Sequence, residues 1–182
     1  NVHFGKGNWQ VVEADESDAL ITEMRATIPV VTNIDKEHLE TYGSFSSLCT
    51  AIDTFIENRR PGALAVLCLD SPGMRRLSAS GGRSGVFTYG LDPGADVKGS
   101  EVRTTVNGTQ FTVEITDNEV SRNRIRLSVF LPLFGIHNVQ NALAALAVSY
   151  LVGLDLQKAC STLKEFPGVI RRFSTVGVVS GV

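Results

Sequence analysis

The stretch "GSFSSLCTAIDTFIENRRPGALAVLCLDSP" runs from Gly43 to Pro72 and contains the two patterns that decide the fold. Phe45, Leu48, Cys49, Ile52, Phe55 and Ile56 recur at helical spacing, which predicts an amphipathic helix opened by Ser44 as N-cap. Arg59, Arg60, Pro61 and Gly62 stop it. Ala63 to Asp70 is then a short apolar run bounded by turn residues, a strand signal. Ser71 and Pro72 read as the cap and first-turn proline of a further short helix, through Leu77.

The same alternation extends outward. "WQVVE", Trp9 to Glu13, and "IPVVTNI", Ile28 to Ile34, are brief, β-branched and bounded by polar residues. "GVFTYG", Gly85 to Gly90, is a fourth strand. Strand and helix alternate through the first ninety residues, the signature of a parallel α/β sheet. The middle differs. Two alternating runs flank Asn107-Gly108, a strong hairpin signal, and Arg124 to Pro132 adds another strand. These predict a small three-stranded antiparallel sheet over about residues 96–131. Two helices follow. Val139, Ala142, Leu143, Leu146, Ala147, Tyr150 and Leu151 line one face of the first, which Gly153 ends; Asp155 caps the second, which runs to about Phe166. The expected class is α/β: a mostly parallel sheet flanked by helices, with the antiparallel strands appended.

The chain has 182 residues, which suits one domain, and its net charge of −2 argues against a nucleic-acid or membrane-surface binder. No run of about 18 apolar residues predicts a membrane span, and no signal peptide is visible. Cys49, Cys68 and Cys160 are odd in number, widely spaced and set among apolar residues, so they read as buried thiols of a reducing, cytoplasmic compartment. No CxxC pair supports a structural zinc. The chain begins at Asn1 and ends "VGVVSGV", an apolar strand cut in mid-course, so a piece of a longer protein is expected.

Four places carry candidate chemistry. Glu13 follows Val11-Val12 and so is expected at the carboxyl end of a strand, where open α/β sheets bind ligands. A carboxylate there suits Mg²⁺, or belongs to a solvated acidic turn. His38, in "TNIDKEHLETYG", follows the second strand and either faces the same crevice or caps a surface helix. In "FGIHNVQNALAALAV", Gly135 permits a tight turn, and His137, Asn138 and Asn141 open an amphipathic helix whose start favours anions. The alternative is a plain cap. Arg171-Arg172 suit phosphate oxygens or form a surface pair. "GGRSG" lacks the G-x-x-x-x-G-K-[ST] pattern and reads as a turn, and "GKG" is not a dinucleotide fingerprint.

Taken in order, "EADESD", "TNIDKEHLETYG", "GIHNVQNALAA" and "RRF" resemble the central domain of the Mur ligases over almost the whole chain. The resemblance implies a P-loop-NTPase-like domain and an ATP-dependent, amide-forming reaction of peptidoglycan synthesis that passes through an acyl phosphate. "EADESD" resembles the branch that joins L-alanine to UDP-N-acetylmuramate. The alternatives are a murein-peptide recycling ligase, a folylpolyglutamate synthase-like ligase, or a non-catalytic nucleotide- or metal-binding module. Carried over by residue, the resemblance makes Glu13 and His38 the Mg²⁺ ligands. It places His137, Asn138 and Asn141 against ATP and Arg172 on its phosphates. Glu13, His38 and Arg172 are then the expected catalytic set. Glu37-His38-Leu39-Glu40 departs from the family's Asp-His-x-Asp by a methylene at each acid. The family's phosphate loop and its strand are expected before Glu13, where only twelve residues stand. The chain is accordingly expected to be truncated on its N-terminal side, inactive alone, and prone to self-association.

Overall fold

Among the described residues six strands form one sheet in strict chain order. They are β1 (Val30–Val31), β2 (Ala65–Cys68), β3 (Val86–Gly90), β4 (Val97–Thr105), β5 (Gly108–Thr116) and β6 (Arg124–Leu131). The computed structural model describes residues 5–17, 19–75, 85–116 and 124–169. Strands β1 to β4 pair in parallel, and β4 to β6 form an antiparallel meander. The predicted antiparallel strands are therefore not a separate layer but continue the parallel sheet. A link of residues 91–96 joins β3 to β4. Asp96 fastens it, its carboxylate accepting from the Thr88 backbone N–H (2.8 Å) and hydroxyl (2.6 Å).

β2 is buried at all four positions, and its residues alternate between two cores. Val66 and Cys68 face helix α3 (Ile136–Leu151), packing with Tyr89, Phe111, Leu143 and Leu146. Ala65 and Leu67 face helix α2 (Phe45–Glu57), packing with Leu48, Ile52 and Phe55. A strand covered on both faces reads as a continuous apolar run, which is why "ALAVLCLD" lacks polar alternation. Ser44 caps α2 by accepting from the Ser47 N–H at 3.1 Å. Asp155 caps α4 (Leu156–Lys164) by accepting from Gln157 and Lys158. A single-turn helix α1 (Leu39–Tyr42) precedes α2, and residues 72–75 are helical after Ser71. Among the described residues no helix is long and apolar enough to cross a membrane.

Three expectations change. Trp9 to Glu13 is not a strand: Trp9, Val11 and Val12 are 55%, 97% and 57% exposed and no described strand pairs with them. β-branched residues favour a strand only where a ladder and a packed surface receive them, and this segment has neither. Ile28 to Ile34 contributes only the two-residue β1, paired with Val66 and Leu67 at the sheet's edge. The hairpin turn is Val106-Asn107, one residue earlier than predicted, with Gly108 opening β5. Gly108 has φ 146°, and a side chain there would collide with the Leu131 carbonyl and Pro132.

Candidate functional site

The carboxyl ends of the parallel strands are tied together by polar side chains. Ser71, just after β2, donates its hydroxyl to Asn33, just after β1, at 3.0 Å. The Asp70 carboxylate accepts from the backbone N–H groups of Leu91 and Asp92, just after β3, and from the Gln140 amide of α3 at 2.7 Å. The start of α3 therefore stands at the same edge as the end of β1. Gly135 precedes the helix with φ 95°, and the His137 ring lies over it so closely that a Cβ there would meet the imidazole at 2.7 Å. Asn138 donates its side-chain amide to the Phe134 carbonyl at 2.8 Å, and Asn141 is exposed.

Beyond β1, helix α1 holds the acidic segment by its backbone. Thr41 donates its hydroxyl to the Ser17 carbonyl at 2.7 Å, and Tyr42 donates to the Glu16 carbonyl at 2.6 Å. Asp15 accepts from the Ser17 N–H at 2.9 Å, closing a small turn. Hydrogen bonds from the Ser17 backbone and side chain lower its pKa below the usual carboxylate range. His38 adopts the left-handed conformation (φ 54°, ψ 31°) at the cap of α1. Its ring lies 3.7 Å from Glu16 through Nε2 and 3.7 Å from Glu40 through Nδ1.

Glu16, Glu37 and His38 each present a ligand atom within 4.8 Å of the others. Glu16 and Glu37 also line a cleft of about 270 Å³ whose rim carries Asn33 and Asp35 and whose floor includes Ile21 and Phe55. Two carboxylates and an imidazole suit a divalent cation that retains some of its waters. Glu13 lies just upstream, exposed and outside this converging group. Of the residues predicted as ligands, the structure thus brings His38 into the cluster, with Glu16 and Glu37 as companions that sequence reasoning did not single out. The acidic run and the Glu37-His38 pair were the available signals. What gathers them is the contact of α1 with residues 16–17, which no local pattern encodes. Arg171, Arg172 and Asp18 lie outside the described residues.

A parallel α/β domain, with charged and amide side chains gathered where its strands end and a helix starting at the same edge, belongs to the class that binds ligands at that edge. Residues 9–149 match the Mur ligase middle domain. The chain belongs to the Mur ligase family. The UDP-N-acetylmuramate–L-alanine ligase of Rhodospirillum centenum is 41% identical over 182 residues, covering 100% of this chain and 38% of that protein. The chain thus spans well under half the length of such curated relatives. The crystal structure of UDP-N-acetylmuramate-alanine ligase MurC from Thermotoga maritima superposes with a TM-score of 0.73 at 28% identity, covering 91% of this chain and 35% of that one. MurF ligase from Thermotoga maritima in complex with ADP shares the fold, with a TM-score of 0.68 at 20% identity over 87% of this chain and 35% of that one.

Proposed function

We propose that these residues are the nucleotide-handling middle domain of a cytoplasmic, ATP-dependent ligase that joins L-alanine to the carboxylate of UDP-N-acetylmuramate. The observation that carries this reading is the 41% identity, over the whole of this chain, to a ligase of that name. The ADP complex of the MurF relative supports a nucleotide as the partner of this fold. In this reading Glu13 and His38 hold Mg²⁺, with Glu16 and Glu37 close enough to His38 to share in the coordination. Bound there, the cation would offset the charge on the phosphate oxygens.

The chain's own groups supply placement. The N-terminus of α3 offers backbone N–H groups and a favourable dipole for an anion. His137, Asn138 and Asn141 stand on that first part of the helix and contact ATP, while Arg172 contacts its phosphates. Aligning the reactants over the strand ends supplies the proximity that transfer requires.

The test is ADP release by the full-length enzyme. ADP should appear only when UDP-N-acetylmuramate and L-alanine are both present, and a tripeptide in place of L-alanine should not support turnover. Glu13→Gln and His38→Ala should each lower kcat/KM by about 100-fold or more, as removing a metal ligand exceeds the usual cost of disturbing its support. Turnover with the tripeptide but not with L-alanine would transfer the assignment to a recycling ligase.

A further inference from the structure

Asp70 is where three elements of the sheet edge meet. It follows β2 by two residues. Its carboxylate accepts from the Leu91 N–H at 2.9 Å to each oxygen and from the Asp92 N–H at 2.9 Å. The Gln140 side chain completes the set at 2.7 Å. Gly90 makes this approach possible: a Cβ there would come within 2.6 Å of the Asp70 carboxylate. Arg75 steadies the surrounding loops, donating to the Leu69 carbonyl at 2.7 Å and pairing with Asp92 at 3.1 Å.

Helix α3 otherwise meets the sheet through apolar side chains, including Val139, Ala142, Leu143 and Ala147, and near its far end Tyr150 stacks on Phe87 of β3 with ring centroids 5.8 Å apart. These contacts bury the body of the helix, and the bond from Gln140 adds a polar tie between its second turn and the strand ends. A hydrogen bond to an ionised carboxylate is directional and stronger than a neutral one. Gln140 lies one residue from Asn141 and two from Asn138.

We infer that Asp70 is a positioning residue: through Gln140 it sets the rotation and height of α3 against the strand ends, and so places Asn138 and Asn141 for the nucleotide. This rests on the ATP-contacting role proposed above for those two asparagines. Asp70 itself need not touch the nucleotide.

The experiment is steady-state kinetics of the full-length ligase with ATP varied, together with thermal unfolding. Gln140→Leu removes the tie and leaves the backbone bonds to Asp70 intact. KM for ATP should rise about tenfold, the loss expected for one hydrogen bond to a charged group, while kcat and KM for L-alanine change far less. Gln140→Glu sets two carboxylates against each other and should raise KM for ATP at least as much. Asp70→Asn combined with Gln140→Glu restores a donor–acceptor pair with its polarity reversed while the remaining amide oxygen keeps the Leu91 and Asp92 N–H groups, and should bring KM for ATP part of the way back from Gln140→Glu. A merely structural contact would lower thermal stability without this split and without this rescue. If the wild-type ligase turns over and Gln140→Leu leaves KM for ATP unchanged, or the double variant is no better than Gln140→Glu, the inference fails alone. A wild-type enzyme that releases no ADP with UDP-N-acetylmuramate and L-alanine overturns the functional reading and this inference with it.

Discussion

His38 and Gly108 show how much single positions carry. His38 holds a left-handed backbone without being glycine, a conformation that costs an L-residue energy and persists only where its surroundings impose it. Here it turns the chain from the end of β1 into α1 and brings the imidazole to Glu16. That His38 could face the crevice was readable from its place after an apolar run, and its expected role as a ligand came from the family resemblance. That Glu16 and Glu37 would join it was not, because their convergence depends on Tyr42 and Thr41 reaching back more than twenty residues to residues 16–17. Gly108 is fixed by shape alone. Its φ of 146° and the adjacent Leu131 carbonyl leave no room for a methyl group. Gly108→Ala should destabilise the protein by about 1–3 kcal/mol, from backbone strain and the clash together. Urea unfolding should show a lower midpoint with an unchanged m-value. A midpoint equal to wild type would mean that the β5–β6 pairing relaxes around the new methyl.

Elements with a complete local signal were legible to within a residue or two. Ser44 and Asp155 each stand where the capping pattern put them, and each accepts a hydrogen bond from the first turn of its helix. Ser44→Ala and Asp155→Ala should each cost about 1 kcal/mol. α2 and α4 contribute to different cores, so the double variant should lose the sum of the two within about 0.5 kcal/mol, measured by chemical unfolding. A large departure from additivity would show that the two layers communicate through the sheet. Strands were less legible. β2 and β6 were recovered almost whole, whereas Trp9 to Glu13 has strand composition and no strand conformation. A helix satisfies its backbone within itself; a strand needs a neighbour, and the presence of a neighbour is not written in the strand.

The sheet as a unit carries the remaining consequences. Among the described residues β1 is the outermost strand, two residues long, and Trp9, Val11 and Val12 are exposed. Unpaired edges and exposed apolar residues favour association. The 182-residue chain should therefore form dimers or larger species as its concentration rises in sedimentation velocity, and a single monomeric boundary at high concentration would contradict this. These residues also contain no G-x-x-x-x-G-K-[ST] run to cradle a triphosphate. The chain by itself should bind Mg²⁺-ATP weakly; calorimetric saturation at micromolar nucleotide would show that the α3 start and the carboxylates suffice without such a loop.

By itself the sequence determined the α/β class, the order of the strands and helices from Ile28 onward, the caps at Ser44 and Asp155 and, through the resemblance of four motifs, the family. Each of these follows from periodicity, from short-range hydrogen bonding or from a run of residues read in order. Only the tertiary structure decided which charged groups meet. Glu16 joins Glu37 and His38, Asp70 ties Gln140 to the end of β3, and the meander continues the parallel sheet. The physical reason is distance along the chain. Residues seventy apart, such as Asp70 and Gln140, are brought together by the packing of a helix on a sheet, and nothing local to either residue specifies its partner.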